Sequence, residues 1–361
     1  MQMEKIMQRR TCAVAIPWIA ATLLLAASAT AETDEHAHHT NHDDHVAGSA
    51  PIGVMGDHMH PEGEIMLSYR YMRMHMDGNR DGTDREKISD IVGGSQGSGS
   101  FMASPREMDM QMHMLGAMYA PKDWVTLMVM VPIVVLEMDH ITGMGTTFKT
   151  RSSGLGDIST TALLKLFENE RHEVHANAGI SWPSGSISRK DDTPASGGSA
   201  TLLPYPMQLG SGTVDLLPGV TYNGQADLFS WGGQARGTVR LGRNEENYRL
   251  GNRYALTGWG SVEPARWVSV GARLEWSQWF NIKGRDDRLG SAADDFIPTA
   301  DPNRRAGERL DIGPSIDFAM EEGPLAGLRL GFEMLFPAYQ SLDGPQLETD
   351  WTITSGVQYA F

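Results

Sequence analysis

Seven histidines crowd the front of the chain. His36, His38, His39, His42 and His45 lie among Asp34, Glu35, Asp43 and Asp44, and His58 and His60 follow in the run Asp57-His58-Met59-His60. Imidazoles and carboxylates this close can wrap a Cu, Zn or Ni ion weakly, although no zinc-finger spacing is present. Such a site needs neutral imidazole, so its affinity falls below about pH 6 as the histidines charge. The competing account is a solvated acidic tail.

A second group carries sulfur. Met72, Met74 and Met76 are followed by Met108, Met110, Met112, Met114 and Met118, then by Met128 and Met130. Asp109, Gln111 and His113 fall between those of the middle run. Thioether and imidazole suit Cu(I) and other soft ions, which suggests a metal route with His113 among its ligands. Methionine is also a flexible apolar filler. Turning Asp109, Gln111 and His113 toward an interior sends the methionines of that run toward lipid. The run before it is ambiguous, since Glu64, Ser68 and Arg70 share the methionine face.

All twelve histidines precede residue 176, and the one Gly-x-Ser-x-Gly match, Gly93-Gly94-Ser95-Gln96-Gly97, lies in a glycine- and serine-rich link rather than on a strand-to-helix elbow. The glycines of Ser153-Gly-Leu-Gly156 open a strand and make no phosphate loop. No enzyme is expected, and no cofactor is required.

These residues need a scaffold, and its first stretch reads as a secretory leader. Lys5, Arg9 and Arg10 precede the mostly apolar run Thr11–Ala27, and Ala29-Thr30-Ala31 supplies a cleavage site. Residues 1–31 carry these three cations and Glu4, so their removal takes the net charge from −15 to −17. That acidity argues against nucleic-acid partners. The only cysteine, Cys12, leaves with the leader, and no disulfide framework remains. Residues 32–62 have neither strand nor helix period and are expected to form a flexible His-rich periplasmic arm.

From residue 63 onward, twelve stretches alternate apolar and polar side chains with the period of a strand. In one, Val268, Val270, Ala272, Leu274 and Trp276 oppose Ser269, Gly271, Arg273, Glu275 and Ser277. Links after even-numbered stretches are short, as at Pro121-Lys122 and Gly224-Gln225, and several after odd-numbered ones are long, as at 77–106 and 184–212. Sorting by parity is the mark of an antiparallel up-and-down transmembrane β-barrel with periplasmic turns and outer loops, and about twelve strands put both termini in the periplasm. An all-β fold of this kind spans 63–361. Its outward face meets outer-membrane lipid, with Tyr69, Trp124, Trp182, Tyr222, Trp276, Trp351 and Tyr359 as girdle candidates. The charged faces then line a lumen with Asp157, Lys165, His175, Asp215, Arg236, Arg240, Arg273, Glu275, Arg309, Asp311, Asp317, Arg329 and Glu333. Such mixed charges either pair structurally or form a polar path. Pro132, Pro218 and Pro314 interrupt strands, and bulges or wall kinks are expected there.

The closing run Trp351–Phe361 looks like the last strand of a bacterial outer-membrane barrel, including the terminal Phe361 that the barrel-assembly machinery recognises. Pro51-Ile-Gly-Val-Met-Gly-Asp-His-Met-His60, Ser153-Gly-Leu-Gly-Asp-Ile-Ser159, Leu203-Pro-Tyr-Pro-Met-Gln-Leu-Gly-Ser-Gly-Thr213 and Arg240-Leu-Gly-Arg243 with Tyr248-Arg-Leu-Gly251 carry a further resemblance. They resemble the Gram-negative outer-membrane barrels of the phenol meta-cleavage-pathway family, described as transporters. The resemblance spans residues 51–361. It implies uptake of organic compounds and a neighbourhood of metal-resistance functions, and it carries no defined site residues. The expected function is a passive channel or importer of small solutes in the outer membrane of a Gram-negative bacterium. The alternatives are copper or zinc handling by the arm and methionines, and a surface barrel with a closed lumen.

Overall fold

The structure, a computed structural model, describes residues 50–194, 196–290 and 296–361. The expected leader and His36, His38, His39, His42 and His45 lie outside the described residues. Alternating side chains favour strands, and strands in hydrocarbon must pair every backbone N–H and C=O, which a sheet achieves only by closing. This one closes. β1 (Ile65–Gly82), β2 (Ala103–Lys122) and β3 (Val125–Thr142) form antiparallel neighbours. The next crossing is divided into β4 (Thr147–Leu155) and β5 (Ile158–Glu168), which pair with the upper and lower parts of β3. The ring continues through β6 (His172–Trp182), β7 (Val214–Ala226), β8 (Phe229–Leu241), β9 (Arg253–Ala265), β10 (Val268–Trp279) and β11 (Gly307–Met320).

The last element, β12 (Leu328–Ala360), runs out and back. Its first part pairs with β11 from Leu328 to Leu342, and its second pairs with β1 from Leu342 to Ala360. Ala360 N donates to Gly327 O at 3.1 Å, joining the two ends of the hairpin. With β4 and β5 sharing one crossing and β12 making two, the twelve ring elements make twelve crossings, as the alternation predicts. The long loop 183–213 also carries a small hairpin of Lys190–Asp191 with Thr201–Leu202.

Burial is inverted relative to a water-soluble protein. Leu127, Val129, Leu216, Val220, Leu256, Val270, Leu274, Ile312 and Phe332 are exposed, whereas His175, Asp215, Arg273, Glu275, Asp317 and Glu333 are buried. An apolar outer face around a polar interior suits lipid outside. Each in-strand proline marks a gap in a ladder. Pro132 faces the break between β4 and β5. The β7–β8 pairing skips Pro218, and the β11–β12 pairing skips Pro314. Proline has no N–H to give, so the wall loosens there.

Leu274→Arg, on the outer face at mid-height, is expected to lower unfolding free energy in lipid vesicles by about 2–4 kcal/mol, against ~1 or less for Leu325→Arg in the 321–327 turn. Urea titration of both variants checks this, and equal small effects would mean that the face does not meet lipid.

Candidate functional site

The inside of the ring is organised by two segments that are not part of its wall. The first is residues 50–60. The sequence reading places 51–62 in a mobile arm, but the structure seats 50–60 within the lumen. Arg70 Nε donates to Ile52 O at 3.0 Å, Asn223 Nδ2 to Asp57 O at 2.6 Å, and Arg329 Nη2 to Ala50 O. His175 Nε2 donates to Gly56 O at 3.0 Å, and Gln234 Nε2 to Met55 O at 3.0 Å. These donors come from β1, β6, β7, β8 and β12, so the segment is held from around the ring. The run has no strand or helix period because wall side chains, rather than a ladder, meet its carbonyls.

Two local features explain the fit. Gly56 has φ +63°, and a Cβ there would sit 3.1 Å from Asn177 and 3.3 Å from Leu163. Ala50 and Val54 pack against the inward-facing Trp259. Burial would raise the Asp57 carboxyl, but His58, with Arg329 and Arg70 beyond it, holds it well below the usual carboxylate range. Burial alone would lower the neighbouring His58, yet Asp57 outweighs it and the net direction is up. His60 is lowered by burial.

The second segment enters from the long-loop end. Leu203, Met207 and Leu209 pack on Met108, Val134, Leu136 and Met138 of the wall. Their tether is polar. Asp157 Oδ1 accepts from Gly185 N at 2.9 Å and its Oδ2 from Ser211 N at 2.7 Å. Asp215 accepts from Thr213 Oγ1 at 2.6 Å and pairs with Arg240. Tyr205 stacks edge-on against Tyr248 at 5.1 Å and accepts from Asp286 N. The glycine-bearing runs around 153–159 and 203–213 thus hold this loop in place. Outside it lies a cavity of about 800 Å³ lined by Phe101, Met102, Met144, Phe148 and Leu289.

Between the segments is a chamber of about 430 Å³. Met72 and Met74 of β1, Met110, Met112 and Met114 of β2, and Met128 and Met130 of β3 line one wall. Arg70, Arg236, Arg253, Arg273, Arg309, Glu275 and Asp311 line much of the rest. Arg273 Nε lies 3.1 Å from Glu333 Oε1, Arg236 lies 3.4 Å from Glu275, and Arg309 Nε donates to Asp311 Oδ2 at 2.8 Å. The cavity also reaches Leu217, Pro218, Gly237 and Thr238, at the β7–β8 gap.

The methionine orientation reverses the expectation for β2. Its methionines face inward, whereas Asp109, Gln111 and His113 face out. There they are satisfied by β1: Arg73 holds Asp109 at 3.0 Å, Tyr71 donates to Gln111 at 3.2 Å, and Tyr69 Oη meets His113 Nδ1 at 2.8 Å. β1 and β2 supply polar side chains in matching outward register, and those chains pair with one another. Charge was therefore a poor guide to the interior of β2. His75, Glu107 and Asp109 bring ligand atoms within 4.8 Å of one another on this outer face, with Asp109 already engaged by Arg73.

The other candidates are distributed as follows. Asp157, Asp215 and Arg240 anchor the outer segment, while His175, Arg329 and Asp317 surround the inner one, Arg329 contacting Asp317 at 2.8 Å. Arg236, Arg273, Glu275, Arg309 and Asp311 lie on the charged side of the chamber, and Glu333 pairs with Arg273. Lys165 pairs with Glu168 at 2.8 Å near the short-turn rim. His58 and His60 belong to the inserted segment, their rings 4.9 Å apart, and His113 lies outside the lumen. The sequence reading missed Arg253 and the donors Asn223 and Gln234. Parity with Ala255, with Asp215 and with Arg236 was the available signal.

No family model matches the sequence, and no curated protein matches it. Solved structures do. An outer membrane channel from Pseudomonas putida F1 aligns at TM-score 0.57 and 12% identity, covering 86% of this chain and 100% of the channel. The transport unit of the autotransporter AIDA-I from Escherichia coli aligns at TM-score 0.48 and 9% identity over 86% and 94% of the two chains. A Pseudomonas aeruginosa FadL homologue aligns at 0.42 and 11% over 82% and 90%. The first of these likenesses establishes the fold: this chain is an antiparallel closed barrel of the outer-membrane type.

Proposed function

We propose that this protein is a passive channel for small solutes in the outer membrane of a Gram-negative bacterium, held shut at both mouths. The chamber carries the reading. A wall built only to pair its own charges would leave no reason for about 430 Å³ of space behind two separable segments. Ile65 N donates to Phe361 O at 3.0 Å, and Gly63 N donates to Ala120 O at 2.8 Å beside a short turn. The ends of the barrel thus lie at its short-turn rim, the periplasmic one on this reading. Phe361 is offered there to the barrel-assembly machinery, and lipid is the partner of the outer face. The apolar outer cavity favours organic solutes.

Opening requires residues 50–60 to leave their seat. That seat is largely hydrogen bonds to backbone carbonyls, each worth a net ~0.5–1.5 kcal/mol, and water can replace them. Wall hydrogen bonds inside the bilayer have no such substitute.

The inward methionines favour a second reading, passage of soft metal ions, with Cu or Zn collected by His58, His60 and the histidines of the arm. The guanidiniums around the chamber oppose a free cation, so solute passage is the stronger reading.

In planar bilayers the intact protein is expected to show small or rare openings, and a variant lacking residues 50–60 a severalfold larger unitary conductance. Heat-modifiable mobility on gels verifies that the deletion still folds. A folded deletion with unchanged conductance contradicts the reading. Gly56→Val, which puts a β-branched residue at positive φ, is expected to speed amide exchange of residues 52–57 while leaving the strands protected; hydrogen-exchange mass spectrometry checks it.

A further inference from the structure

The chamber has two unlike walls, and their chemistry points to one class of occupant. On one side, seven methionines from three adjacent strands present thioethers and methylenes. Their cross-strand pairing is direct, with Met72 opposite Met112 and Met74 opposite Met110, so this wall is continuous and apolar. The other side is charged, and its charges do not cancel. Glu275 is shared by Arg236 and Arg273 and also accepts from Thr257 Oγ1 at 2.9 Å. Glu333 is taken by Arg273, and Asp311 by Arg309. Arg253 has no carboxylate partner among the described residues. Its guanidinium lies 5.5 Å from the centroid of the Trp279 ring, and the residue is exposed to the cavity.

Five arginines, Arg70, Arg236, Arg253, Arg273 and Arg309, thus line the chamber against the carboxylates of Glu275 and Asp311; Arg70 is engaged by Ile52 O, and Arg253 is left open to the chamber. Arg273, itself buried beside Glu333, has Nη1 without a hydrogen-bond partner, as have both carboxylate oxygens of Glu333. A buried donor left unmade is costly, and an anionic oxygen satisfies it. Guanidinium favours carboxylate through paired, charge-assisted hydrogen bonds. The methionine wall takes an apolar or aromatic body, sulfur being a favourable neighbour for ring edges. A soft cation would find the thioethers but meet the uncompensated positive charge.

We infer that the chamber is a binding site for small amphipathic carboxylates, with Arg253 on the carboxylate and the methionines of β1–β3 on the apolar body. This names the solute class of the channel proposed above and rests on that reading for its role, though the site can be tested alone.

Purified full-length protein in detergent is equilibrated with radiolabelled hexanoate or phenylacetate, and with hexanamide, phenylacetamide, hexylamine and acetate as comparison probes. The expected result is saturable binding of both carboxylates, amides weaker by about tenfold or more, and no saturable binding of hexylamine or acetate. Arg253→Gln should lose about tenfold for the carboxylates and leave the amides unchanged, and Met112→Gln should weaken acids and amides alike. Equal affinity for acid and amide overturns the inference, as does a folded Arg253→Gln that binds like the parent. Saturable Ag(I) binding without carboxylate binding also overturns it. If Arg253→Gln fails to fold, the comparison of acid with amide on the parent decides. Liposome swelling separates the two claims: swelling with neutral solutes but no carboxylate preference leaves the channel and removes the site. Binding without any swelling does the reverse.

Discussion

Closure of the sheet, β12 onto β1, is the constraint on which the rest depends. A strand edge left open in hydrocarbon would expose a row of unpaired amides, each costing several kcal/mol. Once the ring is shut, each residue of a crossing must face lipid or lumen. The outward residues Leu216, Val220, Leu256 and Leu274 and the inward Asp215, Thr221, Thr257 and Glu275 are two halves of one alternation. A twelve-crossing ring is also wider than its wall side chains alone can fill, lying between packed small barrels and open porins. The excess width is occupied by residues 50–60 from one end and Leu203–Leu209 from the other, and the remainder is the chamber.

Much of this was legible in the sequence. Period-two alternation and the parity of connection lengths gave the crossings, because both follow from local geometry. The charged faces of β6 to β12 pointed inward as alternation predicts, with Asp215, Arg236, Arg273, Asp311 and Glu333 all inside. Strand ends were less legible: β1 runs on to Gly82, past residue 77 where a loop was expected to begin, since tall strands continue above the lipid without an apolar face to mark them.

Two features were hidden for physical reasons. Residues 50–60 look like a linker because their partners are side chains distant in sequence, such as Asn223, Gln234 and Arg329. Nothing local in Ile52-Gly-Val-Met-Gly56 announces an acceptor row. The facing of β2 was misread because Asp109, Gln111 and His113 seem to demand an aqueous interior. They are instead met by Arg73, Tyr71 and Tyr69 across the sheet, a pairing visible only once the β1–β2 register is known.

Closure at both ends requires residues 50–60 to sit inside a closed ring. The mature chain is expected to lack cysteine, so single-cysteine variants at Ile52, buried in the lumen, and Glu62, exposed at the rim, report it directly. In open outer-membrane fragments, where a bulky hydrophilic maleimide reaches both faces, Ile52→Cys should stay unlabelled while Glu62→Cys reacts readily. Equally fast labelling at both positions would contradict the lumenal seat, and with it the two-ended closure of the proposed channel.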